Sequence, residues 1–120
     1  MFQESLKRLV VETEGGLAGL LMGFDGISVD SYVGNSMPSD IQTVGMEFSF
    51  ILSQVRKATE ILELGGLTEF TIRAEKLTVI IRVLTPEYFL ALAIQPDGNL
   101  GKGRYLLRIL GPQFQAELSA

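Results

Sequence analysis

One hundred and twenty residues, 47% of them hydrophobic and 20% charged, make a chain the size of one domain, 1–120, able to bury a core and too apolar for disorder. Ten basic residues against fourteen acidic ones leave a net charge of −4, which repels a phosphate backbone and argues against a nucleic-acid partner. Histidine and cysteine are both absent, so imidazole bases, Ser-His-Asp triads, thiolate nucleophiles, disulfides and the common zinc or iron–sulfur ligand sets are excluded.

The start, Met1-Phe2-Gln3-Glu4-Ser5, lacks the basic residues and apolar run of a secretion signal. The longest apolar run, Tyr88 to Ile94, falls far short of the roughly 18–20 residues that span a bilayer. A cytoplasmic chain without membrane insertion is expected.

Phe2, Leu6, Leu9 and Val10 recur at helical spacing among Gln3, Glu4, Lys7 and Arg8, predicting an amphipathic helix that ends at Gly15-Gly16. Leu17 to Phe24 is nearly all apolar. After Asp25-Gly26, Ile27, Val29 and Ser31 alternate with Ser28, Asp30 and Tyr32. Two strands around an Asp-Gly pair predict a hairpin with a two-residue type I′ turn, its second strand at a sheet edge. Gly34 to Pro38 reads as a loop. Ser39 or Asp40 then caps a long helix, Ile41 to Leu64, stopped by Gly65-Gly66. Three strands follow: Glu69 to Arg73, Leu77 to Leu84, and Tyr88 to Ile94. The last is apolar on both faces and belongs at the centre of the sheet. The loop Gln95 to Gly101 leads into a final helix carrying Tyr105, Leu106, Leu107, Ile109 and Leu110, which Pro112 should kink or end. The expected fold is α+β, α-β-β-α-β-β-β-α. It has one five-stranded antiparallel sheet, the long helix on one face and the N- and C-terminal helices on the other.

That order, the Asp-Gly hairpin, and Asp97-Gly98-Asn99-Leu100-Gly101-Lys102-Gly103-Arg104 opening the last helix resemble the Roadblock/LC7 family over essentially the whole chain. With Met22-Gly23-Phe24-Asp25-Gly26-Ile27, the length resembles its bacterial gliding-motility members most. The resemblance implies a non-enzymatic homo- or heterodimer that scaffolds or regulates a Ras-like small GTPase. Its implied partners are a second copy, another Roadblock protein of the MglB type, the GTPase itself, or an associated polarity or response-regulator protein.

Gly98 to Lys102 invites a phosphate-loop reading, but Pro96 stands where the Walker glycine belongs and Gly103 where Ser or Thr should follow the lysine. Glycines shaping the entry to a helix explain the segment better, so no bound nucleotide or other cofactor is expected. Glu60 and Glu63 lie one turn apart beside Arg56 and Lys57 and read as a solvated charged face. Asp25, Asp30 and Asp97 sit at turns or an edge. No catalytic or metal-ligating residue is assigned. Arg56 reads as a surface side chain rather than a finger on a transferring phosphate. A profilin- or sensor-like ligand-binding domain is the alternative, but it needs an apolar pocket with convergent polar groups, and no such cluster is evident.

At 100° per residue, Ile41, Val44, Phe48, Ile51, Leu52, Val55, Ala58 and Leu62 form a wide stripe expected to cover the sheet. Met46, Phe50, Ile61 and Leu64 form a second stripe that a monomer leaves wet. Together with Phe70 and Ile72 of the Glu69–Arg73 edge strand, they are the expected homodimer interface. Phe24 and Ile27, flanking the hairpin turn on one face with Asp25 at the tip, are the expected partner-binding patch.

Overall fold

The computed structural model describes residues 2–119. Its elements are α1 (Gln3–Val11), β1 (Gly16–Gly23), β2 (Ser28–Val33), α2 (Ile41–Ile61), β3 (Glu69–Arg73), β4 (Thr78–Val83), β5 (Tyr88–Ile94) and α3 (Leu100–Ser119). The strands pair antiparallel in the order β2-β1-β5-β4-β3. The strand that is apolar on both faces therefore lies at the centre, and β2 and β3 are the two edges.

Both faces of the central strands are covered. All eight residues of β1 are buried. Ala18, Leu20 and Met22 turn to one face, where they meet Ile41 and Leu52 of α2 and Phe89 and Ala91 of β5. On the other face Leu21, Ile80, Leu90 and Leu92 pack with Leu6 and Leu9 of α1 and Leu106, Leu107, Leu110 and Phe114 of α3. Each such side chain contributes about 1.5–3 kcal/mol when withdrawn from water, so these two clusters dominate the fold's stability.

The long helix starts as expected. Asp40 adopts extended backbone, and its carboxylate accepts the Thr43 N–H at 3.1 Å, satisfying a donor the helix itself leaves unpaired. It ends at Ile61, three residues before Leu64. Glu63 takes a left-handed conformation (φ 56°), its N–H reaching the Glu60 carbonyl and the Leu64 N–H the Thr59 carbonyl. This pair of bonds is the Schellman closure, which normally uses glycine. Here it forms on glutamate, and Gly65 falls beyond it.

The stripe covering the sheet is also narrower than the apolar pattern suggests. Its buried residues are Ile41, Gly45, Ser49 and Leu52. Ile51, Ala58 and Leu62, expected against the sheet, are exposed. The cause is close approach: a Cβ on Gly45 would lie 2.2 Å from Leu20 Cδ2 and 3.0 Å from Met22 Sδ. Seating the smallest residues on the sheet brings the helix down and rolls its larger apolar residues outward.

Two other expectations change. Helix α1 ends at Val11, before Gly15-Gly16, and Thr13 Oγ1 donates to the Leu9 carbonyl at 2.7 Å in the connection. Helix α3 runs through Pro112 to Ser119. Phe114 beyond the proline is 1% exposed and stacks on Phe2 at 5.9 Å. Burying that ring offsets the lost backbone bond, and the preceding residue, Gly111, has no Cβ to meet the proline ring.

Candidate protein-interaction surfaces

The β1–β2 turn differs from a two-residue type I′ turn. Gly26 N–H donates to the Gly23 carbonyl and Gly23 N–H to the Ile27 carbonyl, each at 2.9 Å. Gly26 has φ +83°, whereas Asp25 is not in the left-handed region. This is a three-residue loop, Phe24-Asp25-Gly26, in which a tight turn is followed by one left-handed glycine. Phe24 consequently belongs to the loop and does not stand beside Ile27, correcting the expected side-by-side pair. Its half-buried ring meets Phe89 edge-on at 5.3 Å. Ile27 is 67% exposed. The Asp25 carboxylate accepts the Ile27 N–H at 3.0 Å, which holds the tip in shape.

Arg56 is more than a surface side chain. Its guanidinium lies 4.0 Å from the centre of the Phe24 ring, and Nη1 donates to the Pro86 carbonyl at 2.9 Å. It ties α2 to the β1–β2 and β4–β5 turns and roofs Phe24, a geometry that is favourable for an arginine over an aromatic face. No local signal marks a contact spanning 30 residues of sequence.

Met46, Phe50, Ile61 and Leu64 are exposed by 57, 69, 80 and 70%. Opposite the sheet-facing line Gly45–Leu52, helical spacing makes Phe50 and Ile61 the crest of α2. Met46 sits off that crest, beside the hairpin: a Cβ on Gly26 would lie 3.6 Å from its Cγ. The structure thus joins Met46 to the Phe24–Ile27 turn at one end of α2. Phe70 and Ile72 lie elsewhere, on the β3 edge, half-buried against the cluster beneath α2.

The opposite face of β3 is charged. Arg104 Nε and Nη2 donate to the two carboxylate oxygens of Glu69 at 2.9 and 2.7 Å, fastening α3 to the edge strand. That bidentate bond lowers the Glu69 carboxyl below its ordinary 4.5; partial burial opposes it, and the charges of Arg104 and Arg82 reinforce it. In the resemblance-bearing segment, Asn99 caps α3: its Oδ1 accepts the Lys102 N–H at 3.0 Å, and its own N–H donates to the Glu14 carbonyl at 2.8 Å. The segment docks a helix.

An open cleft of about 350 Å³ is lined by Arg56, Thr59 and Glu60 of α2 and by Leu67, Val83 and Pro86. No buried side-chain polar atom among the described residues lacks a hydrogen-bond partner. Among the described residues no three acidic, histidine or cysteine side chains gather as a metal site. Among them, too, no helix is long and apolar enough to cross a membrane.

No family model and no curated protein matches the chain. Solved structures do. The crystal structure of MglC from Myxococcus xanthus is 42% identical over 97% of this chain and 98% of that one, with a TM-score of 0.70. A Roadblock/LC7 domain from Streptomyces avermitilis is 14% identical over 98% of this chain and 97% of its own, with a TM-score of 0.86. The gliding protein MglB from Thermus thermophilus is 16% identical, covers 95% of this chain and 85% of its own, and has a TM-score of 0.85. The MglC overlay is looser than the two distant ones, so there the sequence identity carries the relationship; the distant pair speak for the fold.

Proposed function

The chain belongs to the Roadblock/LC7 family, and from that premise we propose that it is a non-enzymatic, homodimeric scaffold or regulatory subunit of a Ras-like small-GTPase system for bacterial gliding motility and cell polarity. The 42% identity to MglC and the fold shared with gliding protein MglB support the system. The observation that carries the mode of action is the bare crest of α2. Phe50 and Ile61 on that crest, and Leu64 just past the end of the helix, are each more than two-thirds exposed, although two well-packed clusters already form the core beneath them. Apolar side chains aligned at helical spacing on a solvent face are accounted for by a protein partner.

Two surfaces divide the work in this reading. The crest of α2, with Phe70 and Ile72 on the open edge of β3, holds a second copy of the chain. The hairpin surface, Phe24, Asp25 and Ile27 with adjoining Met46, holds a Roadblock protein of the MglB type or the GTPase. Phe24 acts there as a floor clamped by Arg56, and Ile27 is the side chain free to enter a partner's pocket. Small patches of this kind bind weakly unless they are repeated or extended, which a homodimer achieves by presenting two. Light scattering on chromatographed mixtures with an MglB-type protein, and separately with a Ras-like GTPase, tests this. A co-eluting complex with the MglB-type protein that Ile27→Ala weakens is expected. No complex with either protein at tens of micromolar contradicts the proposal.

A further inference from the structure

The chain has a net charge of −4, yet three of its ten basic residues line one groove. It lies between α3 and the β3–β4 hairpin, encloses about 340 Å³, and carries Arg82, Arg104 and Arg108 with Tyr105 and a single acid, Glu69. We infer that this groove is a docking site for an acidic segment of a partner protein, whose aspartates or glutamates are received by Arg82 and Arg108. The site is complete within one chain and does not depend on the homodimer proposed above.

Two elements build it. Gly101, Arg104, Tyr105 and Arg108 recur at i, i+3, i+4 and i+7, a stripe of α3 beside the buried one that holds Leu106, Leu107 and Leu110. On β4, Ile80 packs on the α3 side of the sheet, so Arg82, two residues on, turns to the same side. Glu69 stands opposite Arg82 in the β3–β4 register, where opposite charges normally pair across strands. Here they do not. Both Glu69 oxygens are held by Arg104, at 2.9 and 2.7 Å, and the one further ion pair among the described residues is Arg8–Glu12. Arg82 is therefore a half-buried guanidinium whose cross-strand counterion is diverted to a helix. Arg108 is exposed and has no acidic partner either. Its guanidinium sits 5.6 Å from the centre of the Tyr105 ring, and Lys102 Nζ approaches the same ring at 5.9 Å. An aromatic ring steadies a cation without neutralising it, so the charge and its donors stay available.

Carboxylates fit this arrangement better than phosphate does. With Arg104 spent on Glu69, the two free guanidiniums stand on different elements, β4 and α3. They offer two separate positions for single charges instead of one convergent cradle, and the Glu69 carboxylate in the lining repels a dianion. The overall charge of −4 opposes an extended polyanion such as a nucleic acid or an anionic membrane. A short segment responds instead to the charge within a Debye length, roughly 8 Å. The Tyr105 ring, 47% exposed, gives such a segment an apolar wall. The groove is on the opposite face of the sheet from α2, so it stays accessible while the crest and the hairpin surface are engaged.

Fluorescence anisotropy with short labelled peptides on the full chain, at low ionic strength, tests the inference. A peptide of alternating Glu and Ser should bind, more weakly as salt is raised, and the same peptide with Lys in place of Glu should not. Arg82→Gln and Arg108→Gln should each weaken binding about three- to tenfold, the scale of a partly exposed charged contact. Lys7→Gln, the same charge change at an exposed position of α1, should leave it within about twofold. Glu69→Gln releases Arg104 and should tighten binding, which a merely structural role of Glu69 would not do. No binding of the Glu–Ser peptide at hundreds of micromolar, or binding that both arginine variants leave unchanged, overturns the inference. Tighter binding of inorganic phosphate, a phosphoserine peptide or phosphatidylglycerol vesicles through the same arginines overturns it too, since the groove would then select phosphate.

Discussion

Replacing Gly45 by alanine sets two principles against each other. By intrinsic propensity alone, alanine in the middle of a helix gains about 1 kcal/mol over glycine. The structure predicts the opposite sign. A Cβ there would lie 2.2 Å from Leu20 Cδ2, 3.0 Å from Met22 Sδ and 3.1 Å from Met22 Cε. Carbon atoms in contact prefer about 3.5–4.0 Å, so the Leu20 contact is short by well over an ångström. Leu20 is fully buried and Met22 is 1% exposed, so neither side chain has free space to retreat into. Helix α2 must rise from the sheet, or Leu20 must leave its rotamer. A contact this short against a fully buried side chain puts the overpacking cost in the upper half of the usual range, about 2–3 kcal/mol. After the propensity gain, a net loss of about 1–2 kcal/mol remains. For a domain of this length that lowers the melting temperature by roughly 3–8 °C. Urea and thermal unfolding followed by circular dichroism measure it, with the exposed Ala58→Gly on the same helix as reference; that change should cost about 1 kcal/mol from propensity alone. If Gly45→Ala is neutral or stabilising, the close approach of α2 to β1 is wrong, and with it the account of why the large apolar residues of α2 face outward.

Ile27→Ala should leave stability within about 0.5 kcal/mol of the native chain, because the side chain is 67% exposed, while weakening capture of an MglB-type protein. Phe24→Ala should lower stability by about 1–3 kcal/mol, since it removes the ring between Phe89 and Arg56; unfolding curves beside a binding titration distinguish the two effects. Glu69 carries a depressed carboxyl in the folded chain, so its contribution is present above the ordinary 4.5 and is lost as pH falls below that value through the folded one. Glu69→Gln should therefore melt below the native chain at neutral pH and converge with it in acid; a constant gap at all pH values would show that the Arg104 pair contributes nothing.

The sheet was legible because its signals are local. Unbroken apolarity placed Tyr88–Ile94 at the centre, alternation placed Ser28–Val33 at an edge, and Asp40 announced the long helix. What escaped depends on contacts between distant parts of the chain. Gly65-Gly66 looks like the stop signal, yet the closure forms on Glu63, because the Schellman bonds complete before the glycines are reached. Apolar periodicity assigned Ile51 and Leu62 to the sheet, and only the fit of Gly45 between Leu20 and Met22 explains why they turn away. Pro112 is a local breaker overruled by the burial of Phe114. The exposed stripe of α2 was visible in the spacing of Met46 and Phe50. Its division between the hairpin and the crest, and the clamping of Phe24 by Arg56, required the fold.

The central claim is that the crest of α2 and the edge of β3 bind a second copy, and mass in solution tests it most directly. Light scattering at tens of micromolar should give twice the 13.1 kDa of the chain. Phe50→Asp, which places a charge where the dimer excludes water, should return the mass to that of one chain while the circular dichroism spectrum stays that of the native fold, because Phe50 is 69% exposed in the isolated fold. A native chain that remains at 13.1 kDa, or a Phe50→Asp variant that dimerises as well as the native one, would contradict the account.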